Sequence, residues 1–481
     1  MDSVNGSASP DVGKSEELKA QANEAFQAHR FARAIDLYSE AIELNPENAV
    51  LYANRAFAHT KLEEYGSAIS DATRAIEINP KYVKGYYRRG AAYLAMGKEK
   101  EALKDFRQVA KIVPNDPDAR RKLKECEKAV NKAKFEAAIA LEWQSVMTLD
   151  YTTIEVEESY QGPRIEDKIT LDFVKKMMEE FKNQKTIHKR YAYQILLQTH
   201  EILKATPTLV DITVPPKGHF TICGDIHGQY YDLLNIFSLN GLPSEENPYL
   251  FNGDFVDRGS FSVECIFTLF AFKCLYPTGL YLSRGNHESK SMNKIYGFDG
   301  EVKTKFNETL SEMFTEVFCC LPLANVINGK IFVVHGGLFS SDGVKLSDIR
   351  LINRFREPPE EGLMSEILWS DPHPGVGRIP SKRGVGVAFG ADVTARFLQE
   401  NNLDLVVRSH EVKDEGYEET HDGQLITVFS APNYCDQMGN KGAFIRLEAP
   451  DLKPKFTTFS AVPHPAIRPM QYANNFFSML A

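Results

Sequence analysis

Apolar and polar positions along this chain follow two different rhythms. Up to about residue 115 the pattern is helical and repeats itself. Ala34-Ile35, Ala68-Ile69 and Ala102-Leu103 recur every 34 residues, and Pro46, Pro80 and Pro114 keep the same step. The rings Tyr38 and Phe106 share one place in their units, and the small residues Ala22, Ala56 and Gly90 another. A unit of this length, helix-turn-helix with small residues at the crossings, cannot bury its apolar face alone. Three of them, 14–47, 48–81 and 82–115, predict a stacked helical solenoid. Asn115-Asp116-Pro117 then reads as an N-cap and a first-turn proline, opening a charged helix to about Ala140 that closes the third unit. Residues 148–162 carry Asp150, Glu155, Glu157 and Glu158 without a helical period, so 116–162 is read as a capping helix and linker. Residues 1–13 are small and polar and read as a disordered tail.

After Pro163 the texture changes. Helical stretches at 171–183 and 191–206 lead into short apolar runs at 220–223, 249–251, 280–282, 331–334 and 405–407. Alternating with helical stretches, these runs predict buried strands of an α/β domain over 163–468. The remainder, 469–481, opens on Pro469 and reads as a short C-terminal helix with a regulatory role. Each apolar run ends in a cluster of polar residues. In order these are Gly224-Asp225-Ile226-His227-Gly228, Asn252-Gly253-Asp254-Phe255-Val256-Asp257-Arg258-Gly259, Arg284-Gly285-Asn286-His287-Glu288, His335-Gly336-Gly337 and Arg408-Ser409-His410-Glu411. Five strands would thus deliver carboxylates, imidazoles and an amide to one edge of a sheet, with glycines letting them crowd together. That pattern predicts a dinuclear metal centre. Taken singly, a histidine after a strand is usually structural, and Asp257-Arg258 would read as a surface ion pair.

Composition narrows the function classes. At 481 residues the chain exceeds one typical domain, and 43% hydrophobic with 25% charged residues is ordinary for a globular protein. A net charge of -9 argues against nucleic-acid or anionic-membrane binding. Seven cysteines, an odd set without a Cys-x-x-Cys pair, suit a reducing compartment. No signal or transit pattern opens the chain, and the apolar run at 265–272 is too short to span a bilayer. The expectation is a soluble protein of cytoplasm and nucleus, monomeric.

Cationic and amide groups fall on the first helix of each repeat: Lys19 and Asn23, Asn54, then Lys84 and Arg88. Members of each pair four residues apart share a helix face. The 34-residue pattern is that of tetratricopeptide repeats, and this set resembles the carboxylate clamp of tetratricopeptide co-chaperones, with Lys61 where such domains often carry a further cation. The resemblance implies capture of a C-terminal Met-Glu-Glu-Val-Asp tail, making heat-shock protein ninety the expected partner.

The strand-end clusters, together with Ser430-Ala431-Pro432-Asn433-Tyr434, resemble the serine/threonine phosphoprotein phosphatase (PPP) family. The resemblance implies an α/β metallophosphoesterase sandwich behind the all-α tetratricopeptide solenoid. Phosphate monoesters are dianions that hydrolyse very slowly, so a catalyst must neutralise charge and supply hydroxide at neutral pH. By resemblance, Asp225, His227 and Asp254 hold one divalent ion, and Asp254, Asn286, His335 and His410 the other, with a hydroxide bridging them. Manganese, iron or zinc suits such a set. By resemblance, too, Asp257 orients His287, the general acid that protonates the departing alkoxide. Arg258, Asn286, His287, Arg383 and Tyr434 meet the phosphate. The family further implies that the repeats hold the phosphatase in check until a partner displaces them, and that they bind fatty acids. Cys223 is assigned to the core and Cys435 to an inert position beside the site. His188, His219, His373, His421 and His464 are assigned to surface or structure. Three alternatives compete with a phosphoserine/phosphothreonine phosphatase acting on phosphoproteins. A cysteine-nucleophile phosphatase is excluded by the lack of a Cys-x5-Arg loop. A nucleotide-cleaving enzyme or exonuclease of the same metal fold is the runner-up, and the acidic charge disfavours nucleic-acid substrates. An inactive scaffold would have lost ligands, and every expected ligand is present.

Overall fold

In a computed structural model, residues 10–139 and 146–473 are described. Most of the tail read as disordered therefore lies outside the described residues. The chain divides into two units, the second comprising Gln144–Ser381 and Val385–Asn474.

The N-terminal unit is helical throughout. Three hairpins follow one another: α1 (Pro10–Gln27) with α2 (Phe31–Leu44), α3 (Ala49–Lys61) with α4 (Tyr65–Ile78), and α5 (Val83–Ala95) with α6 (Glu99–Ile112). The first helix starts earlier than the repeat period indicated. Small residues sit where helices cross: Ala22, Ala34, Ala56 and Ala68 are fully buried. A Cβ at Gly90 would stand 3.1 Å from the Phe106 ring. The repeat carries an ion pair with it. Arg55 grips Asp71 through two bonds of 2.7 Å. One period later Arg89 grips Asp105 at 3.0 and 2.7 Å. Such forked, half-buried pairs fix the angle between neighbouring helices. The long helix α7 (Pro117–Ile139) packs Ala119 with Val109 and Tyr86, covering the end of the third repeat.

The second unit is a sandwich of two sheets between helices. One sheet runs β1 (Leu209–Ile212), β5 (Ala324–Ile327), β6 (Ile331–Val334), β10 (Leu405–Arg408), β12 (Leu425–Val428), β11 (Tyr417–Thr420). The other runs β14 (Lys453–Phe459), β13 (Gly442–Glu448), β2 (His219–Cys223), β3 (Tyr249–Phe251), β4 (Leu280–Leu282). Alternate residues of each strand explain the layers. Ile222, Leu250, Ile331, Val333, Leu405 and Val407 meet between the sheets. Their neighbours Tyr249 and Phe251 pack under α8 (Leu171–Lys182), α9 (Lys189–Ala205) and α11 (Ser262–Leu275), and Phe332, Val334 and Val406 pack under helices of the opposite face. Both faces of these inner strands are covered, which is why the sequence shows unbroken apolar runs there instead of alternation.

Three expectations need correction. The strands that carry the predicted ligands do not share one sheet: β2, β3 and β4 lie in one, β6 and β10 in the other, and their ends converge on one edge of the sandwich. The sheets join there, Asp225 pairing with Phe429. A Cβ at Gly224 would lie 2.0 Å from the Val428 oxygen, so only glycine lets the strands meet. The C-terminal helix is also not formed in its described part: residues 469–472 make a turn with Met470 at φ 52, and the rest lies outside the described residues. The stretch read as a linker packs Met147, Leu149, Tyr151, Ile154, Val156 and Tyr160 against the second unit's core. Its apolar side chains serve an irregular backbone, so they carry no period.

Candidate active site

The parallel strands β2, β3 and β4 all run into the same edge, as do β6, β10 and β12. Asp225 and His227 follow β2, Asp254, Asp257 and Arg258 follow β3, and Asn286 and His287 follow β4; His335 follows β6, His410 follows β10 and Tyr434 lies beyond β12. All of them are buried. His227, Asp254, Asp257, Arg258 and His410 have φ between 42 and 71, a left-handed backbone that costs about 1–3 kcal/mol at each non-glycine residue. Strain concentrated in this way persists only where the surroundings impose it.

The donor atoms crowd around Asp254. His227 Nε2 lies 3.6 Å from Asp254 Oδ2 and 3.7 Å from Asp225 Oδ2. His335 Nε2 lies 2.9 Å from Asn286 Oδ1 and 3.3 Å from Asp254 Oδ2. Asp254 and His227 form one compact group with His287, and Asp254, His335 and His410 form another. Both histidine rings are aimed from behind. His227 Nδ1 donates to the Val256 carbonyl at 3.1 Å and His335 Nδ1 to the Asn252 carbonyl at 2.7 Å, turning Nε2 towards the carboxylates. A Cβ at Gly285 would stand 2.1 Å from Asp254 Oδ1, so the room for this carboxylate depends on that glycine.

Burial pushes Asp225 up to about 7 despite His335 nearby. For Asp254 burial acts the same way, but the imidazoles of His335, His287 and His227 outweigh it and hold the carboxyl well below its ordinary range. His335 in turn rises to about 9, Asp254 overcoming burial. Buried like charges held this close call for cations, and carboxylates, imidazoles and an amide without thiolate form a donor set that fits a pair of divalent ions shared through Asp254.

Beside this cluster, His287 Nδ1 and Asp257 Oδ2 are 2.9 Å apart. The Arg258 guanidinium lies over the Tyr296 ring at 3.9 Å, and the Tyr434 ring is 5.0 Å from that of His227. Arg383 is buried on the stretch joining β8 (Arg378–Pro380) to β9 (Val387–Phe389). Burial pushes the Cys223 thiol well up, in keeping with a core position.

Several supporting residues escaped the sequence reading. Glu288 accepts 2.8 Å bonds from the amides of Asp254, Phe255 and Gly285. Fully buried Arg408 binds the Gly336 carbonyl at 2.6 Å and Asp371 at 2.7 Å, tying the turn after β10 to the one after β6. Asn252 reaches the Val334 carbonyl at 2.8 Å and Ser409 Oγ at 2.9 Å, linking the two sheets. All three stood inside the motif blocks, where the charge of Glu288 and Arg408 was a usable signal and the neutral amide of Asn252 was not.

On the repeats, Lys19 and Asn23 lie on α1, Asn54 and Lys61 on α3, Lys84 and Arg88 on α5. Asn23 Oδ1 accepts from Tyr38 at 2.6 Å and from Asn54 Nδ2 at 3.3 Å. The Arg88 guanidinium lies 3.5 Å from the centre of the Phe57 ring, and Lys61 Nζ 5.7 Å from the same ring. Burial pushes Arg88 down to about 10. Lys19 pairs with Glu16 one turn earlier.

Comparisons with known proteins agree with this architecture. Residues 218–414 match the calcineurin-like phosphoesterase family, residues 49–82 and 83–116 the tetratricopeptide repeat, and residues 123–211 the PPP5 TPR repeat region. Serine/threonine-protein phosphatase 5 of Arabidopsis thaliana is 66% identical over 98% of both chains. That of Homo sapiens is 56% identical over 97% of this chain and 94% of its own. A solved protein serine/threonine phosphatase from Saccharomyces cerevisiae, similar to human phosphatase PP5, matches with a TM-score of 0.61 and 42% identity, covering 63% of this chain and 100% of its own. With both domains matched and this identity held along nearly its whole length, the chain belongs to the serine/threonine-protein phosphatase 5 family.

Proposed function

We infer that this family member hydrolyses phosphoserine and phosphothreonine esters of proteins in one displacement, without a covalent enzyme intermediate, and that His287 protonates the leaving oxygen. The observation that carries the reading is the His287–Asp257 pair set beside six buried metal-type donors. Asp225, His227 and Asp254 would hold one divalent ion and Asp254, Asn286, His335 and His410 the other. Such a pair supplies charge neutralisation and hydroxide at neutral pH, and manganese, iron and zinc all suit these donors. Arg258, its plane fixed over Tyr296, offers two parallel N–H groups to the phosphate oxygens. Arg383 and Tyr434 are assigned to the same oxygens. Asp257 keeps the proton of His287 on Nδ1 and steadies the charged ring, so a proton on Nε2 can pass to the serine or threonine oxygen, which leaves poorly as an alkoxide. Phosphate release from a phosphoserine peptide in manganese tests this: kcat should fall by about 10²–10⁴-fold in His287→Ala. Activity within about threefold of wild type would sink the assignment.

The repeat groove suits a C-terminal carboxylate with a second acidic side chain, which favours the tail of heat-shock protein ninety and a co-chaperone role. Autoinhibition by the repeats follows from the family resemblance. A chain starting at Gln144, keeping the apolar segment that packs on the core, should release phosphate faster than the full chain; equal rates would reduce the repeats to targeting. Because none of the seven cysteines is disulfide-bonded, cytoplasm and nucleus are the proposed compartments.

A further inference from the structure

We propose that Asn293, on α12 (Lys290–Tyr296), is a positioning residue for proton donation, clamping His287 at both its backbone and its ring. The proposal rests on His287 being the general acid. Asn293 is buried, and its single amide nitrogen donates twice: to the His287 carbonyl at 2.7 Å and to Asp257 Oδ2 at 3.0 Å. Asp257 Oδ2 also lies 2.9 Å from His287 Nδ1. The three residues therefore close a circuit that leaves His287 and returns to it. The other oxygen, Asp257 Oδ1, is held by the Phe298 amide at 2.9 Å.

The chemistry explains why an amide fits. A primary amide presents two hydrogens from one planar atom, so it fixes the distance between a carboxylate and a peptide oxygen. A hydroxyl has one hydrogen and would leave one acceptor unmet. An ammonium would neutralise Asp257, the charge that stabilises protonated His287. With the clamp intact the carboxylate cannot swing and the ring cannot rotate about its own backbone. Proton transfer needs the acid within hydrogen-bond reach of the leaving oxygen, so looseness here costs rate even when substrate binding is unchanged.

Two esters separate positioning from general damage. A phosphoserine peptide releases an alkoxide that needs a proton, whereas p-nitrophenyl phosphate releases a phenolate that leaves without one. The assay uses the full chain in manganese. Asn293→Ala should lose about 10–100-fold in kcat on the phosphoserine peptide, with KM within about twofold, and less than about threefold on the nitrophenyl ester. Asn293→Asp, which keeps the volume and removes both hydrogens, should lose selectively in the same direction. The ratio of the two rates does not depend on how much of a preparation is folded, so a poorly folding variant still gives a result. His287→Ala, run alongside, should show a larger selective loss. Should His287→Ala be selective while Asn293→Ala slows both esters equally or neither, the clamp is overturned and the acid stands. A His287→Ala variant without selectivity overturns the acid reading, and the clamp with it.

Discussion

Replacing Glu288 by glutamine tests how the site is held open for metal. The carboxylate takes three amide hydrogens, two on Oε2 from Asp254 and Gly285 and one on Oε1 from Phe255, each at 2.8 Å. Glutamine keeps at best two of these bonds, now to a neutral oxygen, and turns its own NH₂ against the third donor. Losing the charge weakens each kept bond by about 1 kcal/mol, and a buried amide without a partner costs about 1–3 kcal/mol. The gross loss is therefore about 4 kcal/mol. Part of it returns, because burial and the charge of Asp254 push Glu288 up to about 8, so the native carboxylate is itself expensive to keep. A net destabilisation of about 2 kcal/mol is expected in urea unfolding of the metal-free chain. Since two of the three amides belong to the turn that presents Asp254, manganese affinity read from activity should fall about 10–100-fold. An unchanged manganese titration would refute the claim that Glu288 shapes the metal site, whatever the stability change.

Further outcomes follow from the same contacts. Arg88→Ala should abolish binding of a peptide ending Met-Glu-Glu-Val-Asp in calorimetry, and Arg88→Lys, which keeps the charge but not the stacking on Phe57, should weaken it; full affinity in both would remove the clamp. Burial holds His421 below its ordinary 6.5, with Thr394 Oγ1 at 2.8 Å. The unfolded chain therefore binds this proton more readily. Its contribution is intact above 6.5 and is lost as pH falls below it. Urea midpoints of His421→Gln should depend less on pH in that window than those of wild type; equal slopes would contradict it.

The strand ends were legible because strands covered on both faces leave unbroken apolar runs, against which Asp225, Asp254, Asn286, His335 and His410 stand out. The repeats were legible because Ala34, Ala68 and Ala102 keep one period. Strand pairing was not, since the ladder joining β13 to β2 spans about two-thirds of the second unit and no local period encodes it. The division of the ligands between two sheets therefore had to come from the structure. Met147 to Tyr160 looked like a linker because irregular backbone has no rhythm even when its side chains are buried. The work of Glu288 and Asn293 depends on the loops of Asp254 and Asp257, about 35 residues distant in sequence, so the charge of Glu288 within its motif block marked a site without showing its task, and Asn293 had no signature in its own neighbourhood.

The most direct test of the dinuclear account is phosphate release from a phosphoserine peptide by the chain stripped with a chelator and titrated with manganese, with the bound metal counted. Activity should vanish on stripping and return as two ions bind per chain, and Asp254→Asn, which weakens the shared ligand, should neither hold two ions nor recover. Hydrolysis that survives stripping, or full recovery with one ion bound, would contradict it.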